Sequence, residues 1–409
     1  MTQIYDVIVV GGGAAGLMCA GTAARRGKKV LLLEKMPRPG RKILVTGKGR
    51  CNVTNNCTED EFINSVKKNG RFMYSAYNAF DSQAVMRFFK DLGVSLKTER
   101  GDRVFPRSDK ASDIVDALMR FIKDSGVYLE NHTCKSLLTE NGKVTGVHTD
   151  AGDFHADSVV IATGGKSYPT TGSTGDGYSF AEEAGHTVTA LRPSLIPIIA
   201  EEKWCGELMG LSLRNITLSL YKKGKKNPIY SDIGEMLFTH FGISGPLVLS
   251  ASAHMDGNIS DYSLKLDLKP GLTLEQLNAR VLRDFAENLN KDFMNSLGAL
   301  LPRKFVPVAV KLSGIDPQAK IHQITKKQRE DFAAMLKAMP ITPKGFRPIE
   351  EAVVTSGGVK VSEVNPKTMG SKLAEGLYFA GEILDLDAYT GGFNLQIAFS
   401  TGYLAGMNV

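Results

Sequence analysis

The feature that most constrains this chain is the run Gly11-Gly12-Gly13-Ala14-Ala15-Gly16, directly behind the apolar stretch Asp-Val-Ile-Val-Val at 6–10. Such a stretch reads as a strand buried on both faces. Gly11, Gly13 and Gly16 fit the pattern G-x-G-x-x-G. Gly11 permits a tight strand-to-helix turn, Gly13 keeps a Cβ away from an approaching pyrophosphate, and Gly16 lets the helix lie close on the strand. A helical stretch is expected over 17–26, with Gly27 where a C′ glycine belongs. Lys29-Val-Leu-Leu-Leu then resumes a strand that ends on Glu34, eighteen residues beyond Gly16. The helix N-terminus offers unpaired N–H groups to an anion, and the carboxylate can accept from ribose hydroxyls. Strand, glycines, helix, strand and acid in this order predict a Rossmann-type dinucleotide site.

Three later segments bear on which dinucleotide binds. Gly40-Arg41-Lys42-Ile-Leu-Val-Thr46-Gly47-Lys48-Gly49-Arg50-Cys51-Asn52 is a basic, glycine-spaced loop that could run along a long cofactor, with Arg41 and Lys42 near its phosphates. Val159-Val-Ile-Ala162-Thr163-Gly164-Gly165 is a buried strand opening into a glycine turn. Gly376-Leu-Tyr-Phe-Ala380-Gly381-Glu382 is another apolar strand, delivering an acid beside a glycine.

Together these segments resemble the three signatures of the glutathione-reductase/fumarate-reductase class of FAD folds. More narrowly, the 40–55 segment, Val104-Phe-Pro-Arg-Ser108 and Thr390-Gly-Gly-Phe-Asn-Leu-Gln396 resemble the BaiN/YhiN-like flavoproteins, which include aminoacetone-oxidase-like and bile-acid-reductase-like members. The acid at 382 is Glu where many of the wider class have Asp, which fits the narrower family. The resemblance implies non-covalent FAD, with Gly13, Ala14 and Ala15 facing the pyrophosphate and Glu34 and Lys35 the adenosine end. Arg41, Lys42, Thr46, Gly47, Gly49, Arg50 and Asn52 would line the flavin side. Cys134, in a strand-like segment over 127–138, would offer main-chain groups to adenine. Ala162, Thr163 and Gly164 would complete the cradle, and Gly381 and Glu382 would hold the ribityl or pyrophosphate end. Asn394 and Leu395 would bring backbone N–H groups to the flavin pyrimidine ring. An apparent helix over 395–404 would point its N-terminus at flavin N1/C2=O and stabilise reduced flavin by about 0.3–2 kcal/mol.

At 409 residues the chain is long for one core. The expected fold is α/β: a discontinuous Rossmann-type FAD-binding domain (1–193 and 355–409), interrupted by an antiparallel β-barrel-like module (194–270 and 341–354) and a small helical module (271–340). Its 43% hydrophobic and 23% charged residues suit a folded globular protein. No window approaches eighteen uninterrupted apolar residues, so no membrane partner is expected. The N-terminus shows no basic leader and no cleavage site, and the five cysteines are scattered, so a reducing cytoplasm is expected. The net charge is +7. Its densest source, Lys222-Lys223-Gly-Lys225-Lys226-Asn-Pro, reads as a solvated hairpin tip without interleaved aromatics, so nucleic acid is not the expected partner.

The expected activity is hydride transfer between flavin N5 and a small organic substrate, an amine or an unsaturated ketone by resemblance. NADH or NADPH could serve as a transient electron donor, and no metal is expected. Arg50, Asn52 and His240 are the candidate catalytic residues. Arg50 could clamp a carbonyl or carboxylate, Asn52 fix orientation, and His240 move a proton from the compact loop expected over 238–246. Thr355-Ser-Gly-Gly-Val359 reads as a tight turn near the flavin. Two other functions stay open. One is a dithiol/disulfide reductase using Cys51 and Cys57, whose spacing and intervening Asn-Val-Thr-Asn-Asn align sulfurs poorly. The other is an RNA-modifying flavoprotein, suggested by the basic charge.

Overall fold

The apolar run at the N-terminus forms a strand, Ile4–Val10, in which Val7, Ile8 and Val9 expose no surface. The computed structural model describes residues 4–409. The first strand lies inside a seven-stranded sheet. Val30–Leu33 and then Tyr128–Glu130 follow in parallel on one side, and Gly152–Ile161 pairs in parallel on the other. That last strand is shared along its far edge. Its beginning pairs antiparallel with Lys143–Thr149, which continues to Cys134–Glu140, and its end pairs in parallel with Leu377–Phe379. The C-terminal ends of the Ile4–Val10, Gly152–Ile161 and Leu377–Phe379 strands therefore deliver the three glycine motifs to one edge of the sheet.

The first helix spans Ala14–Arg25 behind the N-cap Gly13 and so begins three residues before the expected start, with Ala14, Ala15 and Gly16 in its first turn. The final helix, Phe393–Gly406, packs on it where side chains are smallest: a Cβ on Gly402 would stand 2.3 Å from the Ala15 carbonyl oxygen. The strand expected over 127–138 is two strands. Between them Asn131 turns its amide onto the carbonyls of Glu34 and Met36 (2.7 and 2.8 Å), which satisfies those groups in place of a ladder and ends the parallel pairing. The basic loop after Gly40 is more ordered than expected. It forms the helix Arg41–Val45, anchored by buried Ile43, and a tight turn over Thr46–Gly49 in which Gly47 and Lys48 take left-handed backbone, φ +56° and +59°.

This unit comprises residues up to Ser194 and Ile349–Val409; a second unit is Leu195–Pro348. In the second, seven antiparallel strands run in the order Met339–Ile341, Tyr262–Asp267, Ser212–Lys222, Tyr230–Thr239, Gly242–Ser244, Ile198–Ala200 and Pro343–Phe346. The helices Leu274–Ala286 and Lys326–Lys337 start on capping boxes, Thr273 with Gln276 and Thr325 with Gln328. Leu264 and Leu266 of the sheet and Leu277, Phe332 and Leu336 of the helices share one apolar core. The expected β and helical modules thus lie within one compact unit and share its core. The return to the first unit comes at Ile349 instead of 355, because Val354–Ser356 pairs with Arg192–Ser194. The compact loop expected over 238–246 is a hairpin: Thr239 pairs with Gly242 across a turn of His240 and Phe241. Among the described residues no helix is long and apolar enough to cross a membrane.

Candidate cofactor-binding site

The three glycine motifs converge on the N-terminus of the first helix. A Cβ on Gly11 would lie 2.6 Å from the Ala162 carbonyl oxygen and 3.0 Å from Thr163 Cα, and one on Gly381 would lie 2.8 Å from Ala15 Cβ. Gly16 is tighter still, since its Cβ would meet the Gly11 carbonyl oxygen at 1.9 Å. Gly13 differs: a Cβ there would face open space, with no atom within 4 Å. No side chain caps this helix, so its first N–H groups are donors for an anion beside Gly13.

Glu34 sits next to this turn. Its carboxylate accepts from the Gly12 N–H and the Met36 N–H, both at 2.7 Å, which fixes its orientation and leaves lone pairs for ribose hydroxyls. Glu34→Ala is expected to weaken FAD retention by about 1–3 kcal/mol, the worth of hydrogen bonds to a charged group; fluorescence titration of the apoprotein measures it. Lys35, expected at the adenosine end, turns to the 163–176 loop instead. It pairs with Asp176 at 2.5 Å and bonds Thr174. Cys134 starts its strand opposite Thr149, and burial pushes its thiol up to about 12, so only its main chain is available to a ligand.

Glu382 is the hub of the other end. One oxygen takes Lys42 Nζ at 2.7 Å; the second accepts from the Thr355 N–H at 2.9 Å and the Ser167 hydroxyl at 3.3 Å. Lys42 also donates to Ser167 at 2.7 Å. Ser167 was not among the expected site residues, and Thr355 was assigned only to a tight turn. Lys42 comes with the basic segment, Ser167 follows the Gly164-Gly165 turn, and Thr355 lies in the strand Val354–Ser356. The Gly164-Gly165 turn permits this approach, as a Cβ on Gly165 would strike Thr355 Oγ1 at 2.5 Å.

The chain just beyond the 46–52 segment meets the last helix through Thr54 and Asn55. Asn55 Nδ2 donates to the Gly391 carbonyl at 3.0 Å, Thr54 Oγ1 to Gln396 Oε1 at 2.5 Å, and a Cβ on Gly392 would collide with the Thr54 carbonyl. The last helix starts at Phe393, so the N–H groups of Phe393, Asn394 and Leu395 lack partners within the helix. The Asn394 side chain is spent on the preceding loop, bonding both the N–H and carbonyl of Ala388 at 2.9 Å. Asn52 Oδ1 and Thr163 Oγ1 are buried with no protein partner, so each keeps an unused hydrogen-bonding capacity. Open space at Gly13, free N–H groups at two helix starts and unpaired Asn52 suit a dinucleotide laid from Glu34 to Gly391.

Arg50 does not stand free in this site. Its guanidinium lies over Phe105, 4.1 Å from the ring centre, and bonds Glu99 and Asp109. Those carboxylates, Glu99 first, raise its affinity for its proton, and Arg50 in turn holds Glu99 below the usual carboxylate range. Arg41 makes no side-chain bond among the described residues. His240 is exposed in its hairpin turn, edge-on to Phe241 at 5.0 Å. Burial pushes the thiols of Cys51 and Cys57 up to about 12 and about 11, which leaves almost no thiolate at neutral pH. Cys51→Ser and Cys57→Ser are therefore expected to keep wild-type rates of flavin reduction in rapid-mixing absorbance measurements.

The family described as HI0933-like protein Rossmann domain matches residues 5–408. The chain belongs to this HI0933-like family. It is 31% identical over 407 residues to a 3-dehydro-bile acid delta(4,6)-reductase of Clostridium scindens, covering 97% of each chain. It is also 31% identical over 422 residues to a ribosomal RNA dihydrouridine synthase of Haemophilus influenzae, covering 100% of this chain and 99% of the relative. Among solved structures, a 3-ketosteroid-Δ4-(5α)-dehydrogenase from Rhodococcus jostii superposes with a TM-score of 0.56 at 16% identity, covering 99% of this chain and 96% of the other. That likeness shows the fold. As an HI0933-like protein, the chain is an FAD-dependent oxidoreductase.

Proposed function

We propose that this protein reduces a carbon–carbon double bond conjugated to a carbonyl group. The observation that carries the proposal is near-full-length similarity, at the same 31% identity, to two relatives whose named reactions share that chemistry. A Δ4,6 unsaturation in a 3-dehydro bile acid is conjugated to the 3-ketone, and the uracil C5=C6 bond lost in dihydrouridine is conjugated to C4=O. Reduced FAD, when bound, supplies hydride from N5 to the β-carbon of such a system. The chain's own part is to hold the cofactor, place the alkene and deliver a proton to the α-carbon.

The N–H groups of Phe393, Asn394 and Leu395 would hold negative charge at the flavin pyrimidine edge, and Asn52 Oδ1 would accept a bond from the flavin or the substrate. Glu382, Lys42, Ser167 and Thr355 would fix the ribityl–phosphate region. Arg50, already bonded to two carboxylates, would shape the 47–52 turn more than it would clamp an anion. His240 is the proposed proton donor. NADH or NADPH is the proposed source of electrons. The two substrate classes that this chemistry admits are an unsaturated 3-keto steroid and a uracil ring within RNA.

Anaerobic rapid mixing tests this. Reduced protein is mixed with cyclohexenone, a 3-keto-4-ene steroid or a ribosomal RNA transcript, and the return of oxidised-flavin absorbance is followed. At least one should reoxidise the flavin much faster than buffer. The His240→Ala variant should slow the step, and Arg50→Met should alter it less than it alters FAD content. If all three acceptors match buffer, the alkene-reductase reading fails.

A further inference from the structure

We infer that the lysine-rich tip of the Ser212–Lys222/Tyr230–Thr239 hairpin, with the open sheet face beneath it, binds the phosphate backbone of RNA. The inference rests on the RNA branch of the function proposed above, and it names a surface that the cofactor site does not use. Read as sequence alone, the run is a solvated turn. The structure adds three observations.

First, the lysines are presented on a fixed scaffold. The two strands pair from Ser212 opposite Leu237 up to Leu220 opposite Tyr230. The tip is closed by Lys225 N–H to the Lys222 carbonyl at 2.9 Å and tied to the next strand by Lys223 N–H to the Asp261 carbonyl at 2.7 Å. Gly224, at φ +81°, makes the reversal. Lys223, Lys225 and Lys226 are exposed there, with Lys222 half-buried beside them.

Second, the charge is unneutralised. Among the described residues none of the four lysines forms an ion pair, although other surface cations of this unit do: Arg214 with Glu235, Lys337 with Asp267 and Lys320 with Asp292. Four ammonium groups within five residues lie inside one Debye length of each other, so a row of phosphates relieves their repulsion and releases counterions.

Third, the sheet face leading away from the tip suits a sugar–phosphate strand. It carries Thr217, Ser219 and Tyr221 on one strand, Ser231 on the next and Ser263 and Lys265 on the other. Ser219 and Ser231 face each other at 2.9 Å, and Lys265 Nζ stands 4.9 Å over the Tyr221 ring. Hydroxyls can bond phosphate and ribose, and a half-exposed tyrosine beside a lysine can stack a base. A membrane surface fits less well, because Lys-Lys-Gly-Lys-Lys-Asn-Pro offers no apolar side chain to insert. The acids that border the patch are Asp261, whose carbonyl takes the Lys223 N–H, and Asp267, which lies opposite Thr217 and is paired with Lys337.

The test uses the FAD-loaded protein and a variant carrying Lys222→Gln, Lys223→Gln, Lys225→Gln and Lys226→Gln. Anisotropy of a fluorescein-labelled, uridine-rich single-stranded RNA is titrated across a series of salt concentrations. The variant should bind at least tenfold more weakly at low salt. Four lost phosphate contacts should flatten the slope of log K against log salt by about 3. Flavin reoxidation by cyclohexenone should be unchanged, since the free enone needs no docking surface. If the variant loses RNA binding while RNA reoxidises neither protein, the surface stands and the uridine reading of the active site falls. Equal affinity and slope in the two proteins would overturn the surface. So would a variant that keeps RNA binding but loses binding to phosphatidylserine vesicles, or one whose cyclohexenone turnover falls as far as its RNA affinity.

Discussion

Gly13→Ala is expected to cost the protein its cofactor while leaving the fold intact. The backbone at Gly13 is at φ −82°, a conformation alanine adopts freely, and its Cβ would touch no protein atom. Nothing in the apoprotein resists the methyl group. The pyrophosphate would, because it must approach this backbone to reach the N–H groups of the first helical turn. Forcing one methyl into a close contact costs about 1–3 kcal/mol, or roughly 5- to 150-fold in FAD affinity. Gly16→Ala is the contrasting case. Its Cβ would overlap the Gly11 carbonyl oxygen at 1.9 Å, so the strand–turn–helix unit itself must shift. Urea unfolding of the two apoproteins, beside FAD titration, separates the effects. Gly13→Ala should unfold like wild type and bind FAD weakly, and Gly16→Ala should lose stability first. Wild-type FAD affinity in Gly13→Ala would mean that the pyrophosphate does not lie on Gly13.

The second large effect is expected at Asp387, which has no exposed surface. Its carboxylate accepts from the hydroxyls of Ser194 at 2.7 Å and Ser356 at 2.9 Å and faces Lys67 Nζ at 3.5 Å, while its carbonyl takes the Lys67 N–H at 2.9 Å. Four distant segments meet there, just ahead of the loop that leads into the last helix. Asp387→Ala strands a nearly buried ammonium and two hydroxyls, an expected loss of about 3–5 kcal/mol in urea unfolding. Removing the ammonium as well, in Asp387→Ala with Lys67→Met, should recover much of that, because the penalty belongs to the uncompensated charge. A single-variant loss below about 1 kcal/mol would mean that water reaches the pair.

Particular residues show what was legible in the sequence. The Gly11–Gly16 turn and Glu34 could be read because their requirements are local: a tight turn, a close helix, a strand end. The final helix was legible from its Gly391-Gly392 start, although it begins two residues earlier than expected. The 238–246 segment was misread as a loop because its hairpin turn, His240-Phe241, carries none of the usual turn glycines; Gly242 belongs to the returning strand. Asn131, which splits one expected strand into two, acts on carbonyls 95 and 97 residues away.

By itself, then, the sequence determined what short stretches can build: a tight glycine turn into a helix, an acid at a strand end, two glycine-led strand ends, and the family these mark. The tertiary structure decided which charges remain available. Arg50 looked like a free anion clamp until the strand Arg103–Pro106 and its neighbours brought Phe105, Glu99 and Asp109 around it. Glu382 looked like a lone ligand until Lys42, Ser167 and Thr355 closed on it from three other parts of the chain. The four lysines of the Lys222–Lys226 tip form no ion pair among the described residues, because the hairpin pairing lays no acid partner against their side chains. The physical reason is common to all three. Backbone turn geometry is set by neighbours in sequence, whereas the pairing of a charge depends on which distant segment the sheet topology lays beside it.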